Sequence, residues 1–233
     1  MKMKDKKSTQ AAERYKRKSD YLKRKKEPSF ERIEPILVEK PTILIVCEGV
    51  NTEPSYFNGY RLTTAVIKPV GIGYNTVSLV EKALELSNEE EYEQVWCVFD
   101  KDSFKKSDFN AAITNASKYG FHVAYSNQAF EYWLILHLED HQGGGMHRRD
   151  YGKKINSYIE KFGISFDHEG SKNITEDFFD FLSSIDFKTK KSRRDLAIKR
   201  AKRNHLQLEH LNPADQESVT TVYKLVEMLL KYL

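Results

Sequence analysis

Two stretches of the chain end an apolar run on carboxylates. Thr42-Ile43-Leu44-Ile45-Val46-Cys47 leads into Glu48-Gly49, and Val95-Trp96-Cys97-Val98-Phe99 leads into Asp100-Lys101-Asp102. Unbroken β-branched and aliphatic runs of this length read as strands buried on both faces. In an open parallel sheet the carboxyl ends of the strands share one edge, and ligands bind there. Glu48, Asp100 and Asp102 are then expected to converge on one site. Crowded carboxylates raise one another's pKa unless a cation neutralises them. Hard oxygen donors select Mg²⁺ or Mn²⁺ rather than zinc. Such an ion, held by a few carboxylates with open water positions, suits phosphodiester cleavage. The competing reading is an acidic loop edge without a metal.

Other residues could join that chemistry. Glu53 opens a helix just after Glu48-Gly49, either as a further metal ligand or as a helix N-terminal acid favoured by the dipole. Glu131 lies in the first turn of a helix after Ser126-Asn127-Gln128-Ala129-Phe130. It reads as a ligand or as a dipole partner, with Asn127 as the helix cap. Phe130, Tyr132, Trp133 and Leu134 read as core rather than as a base-stacking platform. His137 reads as a core or capping histidine rather than a proton shuttle. Lys101 should point away from the flanking aspartates if the segment is extended. Candidate phosphate contacts are Lys105 and Lys106, then Arg148 and Arg149 after the flexible Gly143-Gly144-Gly145. A basic run adds Arg193, Arg194, Lys199 and Arg200. Such contacts position a nucleic acid rather than specify its sequence, and each of these residues also reads as solvated surface.

The elements needed to position these groups alternate. Strands are expected over 42–47, 66–70, 93–99 and 121–126. Helices are expected over 53–62, 76–87, 108–119 and 130–137, with Asn75 or Thr76 capping the second. This alternation predicts an α/β fold, a parallel sheet with helices on both faces. Beyond His137 the chain reads as helical, over 151–162, 176–185, 195–210 and 219–233. The domain reading is a basic N-terminal extension over 1–40, an α/β core over 41–140 and a helical region over 141–233 packed on that core.

Composition narrows the class. No apolar run approaches the roughly 20 residues of a membrane span, and no apolar stretch of a secretory signal follows the basic N-terminus. A cytoplasmic protein is expected. Cys47 and Cys97 lie within apolar runs and in no CxxC spacing, so they read as core residues rather than zinc ligands. The net charge of +4 is uneven, with basic residues concentrated from Lys2 to Lys26. A basic tail on a near-neutral body fits a polyanion, most simply nucleic acid.

A strand ending in Glu followed by a strand ending in Asp-x-Asp resembles the Toprim pattern. The longer text ILIVCEGVNTEPSYFNGYR, VWCVFDKDS and VAYSNQAFEYWLILHLE resembles the RloB-like family. The likeness runs from about Pro41 to Glu139 and resumes more weakly near Ala197–Ala201, Asn212-Pro213 and Val222–Leu229. It implies a Toprim-like fold, a link to restriction loci and phage defence, and a partner ATPase. It also implies that Glu48 acts as general acid/base or metal ligand, that Asp100 and Asp102 form the metal pair, and that Glu53 is a further acidic residue. The function expected from it is a Mg- or Mn-dependent nuclease cleaving RNA, tRNA included, or DNA, as the effector of an anti-phage system. A latent or non-catalytic nucleic-acid-binding subunit controlled by the ATPase is the alternative, and a homo-oligomer is compatible with either. The segment Phe99-Asp100-Lys101-Asp102-Ser103 also resembles the first motif of haloacid-dehalogenase-type phosphatases, with Asp100 as nucleophile, but that reading leaves Glu48-Gly49 without a role. The sequence has no GxxxxGK[ST], so ATPase activity must come from a partner.

Overall fold

Strand β1 (Thr42–Cys47) is the hub, and its residues alternate between two cores. Ile43, Ile45 and Cys47 enter one core, and Leu44 and Val46 enter the other. Strand β3 (Gln94–Asp100) repeats the pattern, with Trp96 and Val98 on the first side and Val95, Cys97 and Phe99 on the second. A period of two with apolar residues on both faces is what a fully covered parallel strand requires. The computed structural model from which this is read describes residues 40–73, 76–102, 105–142 and 144–233, together with Arg17. The expected basic extension, apart from Arg17 and Lys40, and Asn75, Ser103 and Gly143 lie outside the described residues.

Four parallel strands form the sheet in the order β2-β1-β3-β4, with β2 at Val66–Gly71 and β4 at His122–Ser126. The α/β class expected from the alternation is the one observed. Among the described residues strand β2 pairs only with β1, and it carries Lys68 and Pro69. Proline, which has no N–H, is tolerated on such an edge. At the opposite edge, residues 219–221 lie along β4. Asn127 N donates to Val219 O (2.7 Å), Thr221 N donates to Tyr125 O (2.8 Å), and Tyr125 N donates to Thr221 Oγ1 (2.8 Å). Expected to begin a helix, the β-branched run Val219-Thr220-Thr221 instead covers the sheet edge, and the helix starts after it.

Helices fill both faces. On one side lie α1 (Thr52–Asn58), α4 (Glu131–Leu138), α5 (Tyr151–Ile159), α6 (Glu176–Ser183), α7 (Arg193–Leu208) and α8 (Val222–Leu229). On the other lie α2 (Thr76–Ser87) and α3 (Lys106–Lys118), which bury Leu79, Val80, Ala83, Phe109, Ala112 and Ala116. The chain passes from β1 outward to β2, then returns across β1 to β3 and on to β4. The crevice between the carboxyl ends of β1 and β3 is therefore a topological switch point, where such sheets bind ligands. Among the described residues no helix is long and apolar enough to cross a membrane.

Candidate functional site

Glu48 leaves β1 directly into this crevice. Its N–H donates to Val98 O (2.9 Å), and its carboxylate Oε2 accepts from Asp100 N (3.1 Å). Parallel register brings these residues together, because Cys47 pairs with Val98 and Asp100 pairs with Ser126. Asp100 in turn accepts from Phe130 N through Oδ2 (3.1 Å), at the start of α4. The expected cap Asn127 is engaged elsewhere, its side-chain amide donating to Pro213 O (3.1 Å). Asp100 therefore supplies the carboxylate that answers the N-terminus of α4, linking β3 to that helix.

Glu53 reaches the same place from α1. It is buried, and its Oε1 accepts from Gly49 N (3.3 Å). A methyl group on Gly49 would overlap Glu53 Oε2, so the Glu53 carboxylate takes up the space beside the glycine. Gly71 opposite is equally confined, since a Cβ there would meet Gly49 O and Val50 Cα. Asp102 continues the turn after β3, its N–H donating to Gln128 O (3.2 Å). Its carboxylate pairs with Arg148, and the Arg148 N–H donates to Gln128 Oε1 (3.1 Å). Gln128 thus holds both partners of that ion pair. Glu48, Glu53, Asp100, Asp102, Glu131 and Arg148 line one cavity of about 380 Å³.

The electrostatics are those of crowded, partly dehydrated acids. Burial raises Glu48 to about 7, opposed by the Asp100 N–H bond and helped by repulsion from Asp102. Burial likewise raises Glu53 to about 7, with repulsion from Glu131 and Glu48 adding to it. Asp100 is raised well above the carboxylate range, first by burial and then by Glu53, Glu131 and Glu48. The Phe130 N–H and the helix dipole behind it favour the anion, but burial and three like charges outweigh them. Arg148 is stabilised as a cation by Asp102, against the opposing effect of burial. A hard divalent cation fits this set in donor type, since every acidic donor is a carboxylate oxygen, and in charge, since a cation would relieve the repulsion. In the arrangement observed, Glu48, Glu53 and Asp100 each turn an oxygen to a backbone N–H and Asp102 is held by Arg148. Among the described residues no three His, Cys, Asp or Glu side chains are grouped so as to hold a metal.

The basic residues divide. Lys105 is exposed, and Lys106 pairs with Asp215. Arg149 is exposed beside Asp150 (3.8 Å), and Lys199 is exposed on α7. Arg193 is not available as a phosphate contact. It is 5% exposed, donates to Ser184 Oγ (2.6 Å) and Ile185 O (3.0 Å), and lies over the Phe181 ring. Arg200 is similarly committed, donating to Leu136 O at the end of α4 (2.7 Å). Arg194 is half-buried, with its Nε enclosed. Lys101 lies over the Phe109 ring, 6.0 Å from its centroid. His137 is buried, its Nδ1 bonded to Trp133 O (2.9 Å), and burial lowers it to about 3, so it is a neutral core residue. Phe130, Tyr132, Trp133 and Leu134 are core. Cys47 and Cys97 are free, buried thiols, both raised by burial, Cys97 to about 12. Lys172 also lines the carboxylate cavity. Its surrounding text, Asp167-His168-Glu169-Gly170-Ser171-Lys172, follows no strand end and gives no sequence cue to that position.

Fold and site together define a parallel α/β protein with an acidic cavity at the switch point of its sheet. Residues 43–229 match the family model described as RloB-like protein. The chain belongs to the RloB-like family. No curated protein and no solved structure matches it.

Proposed function

We propose that the chain is a metal-dependent nuclease of Toprim type, cleaving phosphodiester bonds in RNA, tRNA included, or in DNA. The observation that carries this reading is the convergence of Glu48, Asp100 and Asp102, with Glu53 and Glu131, on one cavity at the carboxyl edge of the sheet. Glu48, Asp100 and Asp102 would hold Mg²⁺ or Mn²⁺, with Glu53 and Glu131 around them. When bound, the ion would supply an acidified water and charge neutralisation at the leaving oxygen. The residues of the chain do the rest. Asp100 is fixed by Phe130 N and Glu48 by Asp100 N, so the acids are preorganised. Glu48 is raised to about 7 without the ion, and an ion held by it would lower it and keep it anionic. Asp102 joins the set on release from Arg148, which then faces a substrate phosphate. Membership of the RloB-like family supports an effector role in anti-phage defence and control by a partner ATPase, in the reducing cytoplasm that two free core thiols suit.

The test is cleavage of labelled tRNA, other RNA and DNA with Mg²⁺ or with chelator. Glu48→Gln, Asp100→Asn and Asp102→Asn are each expected to lower the rate at least ~100-fold, the scale on which removal of one preorganised catalytic group acts. Circular dichroism checks that the variants fold. Folded variants that cleave like wild type would exclude the proposal.

A further inference from the structure

A second cavity, of about 350 Å³, adjoins the carboxylate cavity and shares Glu131, Arg148 and Lys172 with it. Its other walls are Arg149, Tyr151, Gly152, His168 and Glu169. The volume is within the range of small-ligand sites. The cations are positioned by the fold. Arg148 and Arg149 lie in a 3₁₀ turn (Arg148–Asp150) whose Arg149 N–H donates to His147 Nδ1 (3.3 Å). The Tyr151 hydroxyl donates back to Met146 O (3.1 Å), closing the segment at the start of α5. Opposite, the Asp167 carboxylate accepts from Gly170 N (3.0 Å) and Ser171 N (2.8 Å), and Lys172 N donates to Asp167 O (2.9 Å). Lys172 sits in a left-handed conformation, with φ 54°. His168 packs on Gly152, where any Cβ would overlap the imidazole. A bare helix position and two hydrogen-bonded turns thus present Arg149, His168 and Lys172 around one concavity beside the acids.

We infer that this second cavity is a phosphate-backbone subsite, in which Arg149, His168 and Lys172 hold the nucleic-acid strand next to the bond that enters the carboxylate cavity. The ligand class is a phosphodiester chain, the chemistry RNA and DNA share. Acids repel such a chain at the cleavage point, so cations beside them must supply the binding, and on the walls of this cavity Arg148, Arg149 and Lys172 outnumber the two carboxylates, Glu131 and Glu169. Arg148, common to both cavities, passes the strand from one to the other. The subsite rests on the nuclease reading for its purpose but not for its binding chemistry, and the two can fail separately.

The experiment measures fluorescence anisotropy of a short fluorescein-labelled single-stranded oligonucleotide, as RNA and as DNA, with the full chain in chelator. Arg149→Gln combined with Lys172→Gln is expected to weaken binding by about tenfold or more and to lower the slope of log affinity against log salt by about 0.7 per cation removed. His168→Gln is expected to weaken binding less. Lys118→Gln, at the exposed end of α3, controls for general charge and is expected to bind as wild type. Glu48→Gln is expected to retain this binding and, assayed separately with Mg²⁺, to lose cleavage. Loss of cleavage without the binding defect in the Arg149/Lys172 variant, an equal defect in Lys118→Gln, or a wild type that binds neither oligonucleotide would overturn the subsite. A wild type that binds through Arg149 and Lys172 yet cleaves nothing would uphold the subsite and reject the nuclease.

Discussion

At the scale of single residues, Glu53 states most about the site. It is buried, faces Glu48 and Glu131, and is raised to about 7 by burial first and by repulsion second. Below the ordinary glutamate range, about 4.3, folded and unfolded chains both hold its proton. Between there and about 7 the folded chain keeps a proton that the unfolded chain releases, so stability falls as pH rises through this window. Glu53→Gln removes that loss. In chelator the variant is expected to melt with the wild type near pH 4 and about 7–15 °C above it at pH 8, the shift that the roughly 3–4 kcal/mol of a rise from about 4.3 to about 7 gives a chain of this size. Thermal melts at the two pH values decide it, and a wild type that matches the variant at pH 8 would show that Glu53 is not a destabilised anion. Mg²⁺ is expected to narrow the gap by stabilising the wild type. The Glu48-Gly49 pair was legible from its place at a strand end. The contact beside it was not, because the atoms a Cβ at Gly49 would meet belong to the carboxylate of Glu53, folded back from the next helix.

At the scale of elements, β1, β3, α1 and α4 assemble the site, and α7 and α8 support it. The strands could be read because both faces are apolar, and their carboxyl ends could be placed together once parallel order was assumed. Asn127 could not be read correctly. It has the chemistry of a cap, but Asp100 takes that place at α4 through tertiary contact. The run at α7 also misled, since consecutive basic residues look alike in sequence while the helix buries only some of them. Arg193 is inside and Lys199 outside. Arg193→Ala is therefore expected to cost about 1–3 kcal/mol, leaving Ile185 O and Ser184 Oγ without their partner. Lys199→Ala is expected to stay within about 0.5 kcal/mol of wild type. Urea unfolding of the two variants separates a structural arginine from a surface lysine, and equal costs would contradict the assignment.

At the scale of the whole molecule, one sheet sits between two cores, and the larger of them runs from Ile43 to Leu229. The family match spans almost the same residues, 43–229, so the region recognised in sequence is also the region that builds the core. Carboxylates crowd one cavity at the switch point, and the next, which shares Glu131, Arg148 and Lys172 with it, adds Arg149, His168 and Glu169. The acidic half of this arrangement followed from strand ends. Of the cationic half, Arg148 and Arg149 were among the expected phosphate contacts, but Lys172 and His168 were not, because they come from a loop whose position depends on the packing of His168 against Gly152. Chemistry on a polyanion needs both halves, and the central claim is that the acidic half holds a divalent ion. A Mn²⁺ titration of the full chain, followed by electron paramagnetic resonance, tests this most directly. Wild type is expected to bind, and Glu48→Gln and Asp100→Asn are each expected to weaken binding at least ~10-fold, the loss that even outer-shell substitutions produce. A wild type that takes up no Mn²⁺, or folded variants that bind it as tightly, would contradict the claim.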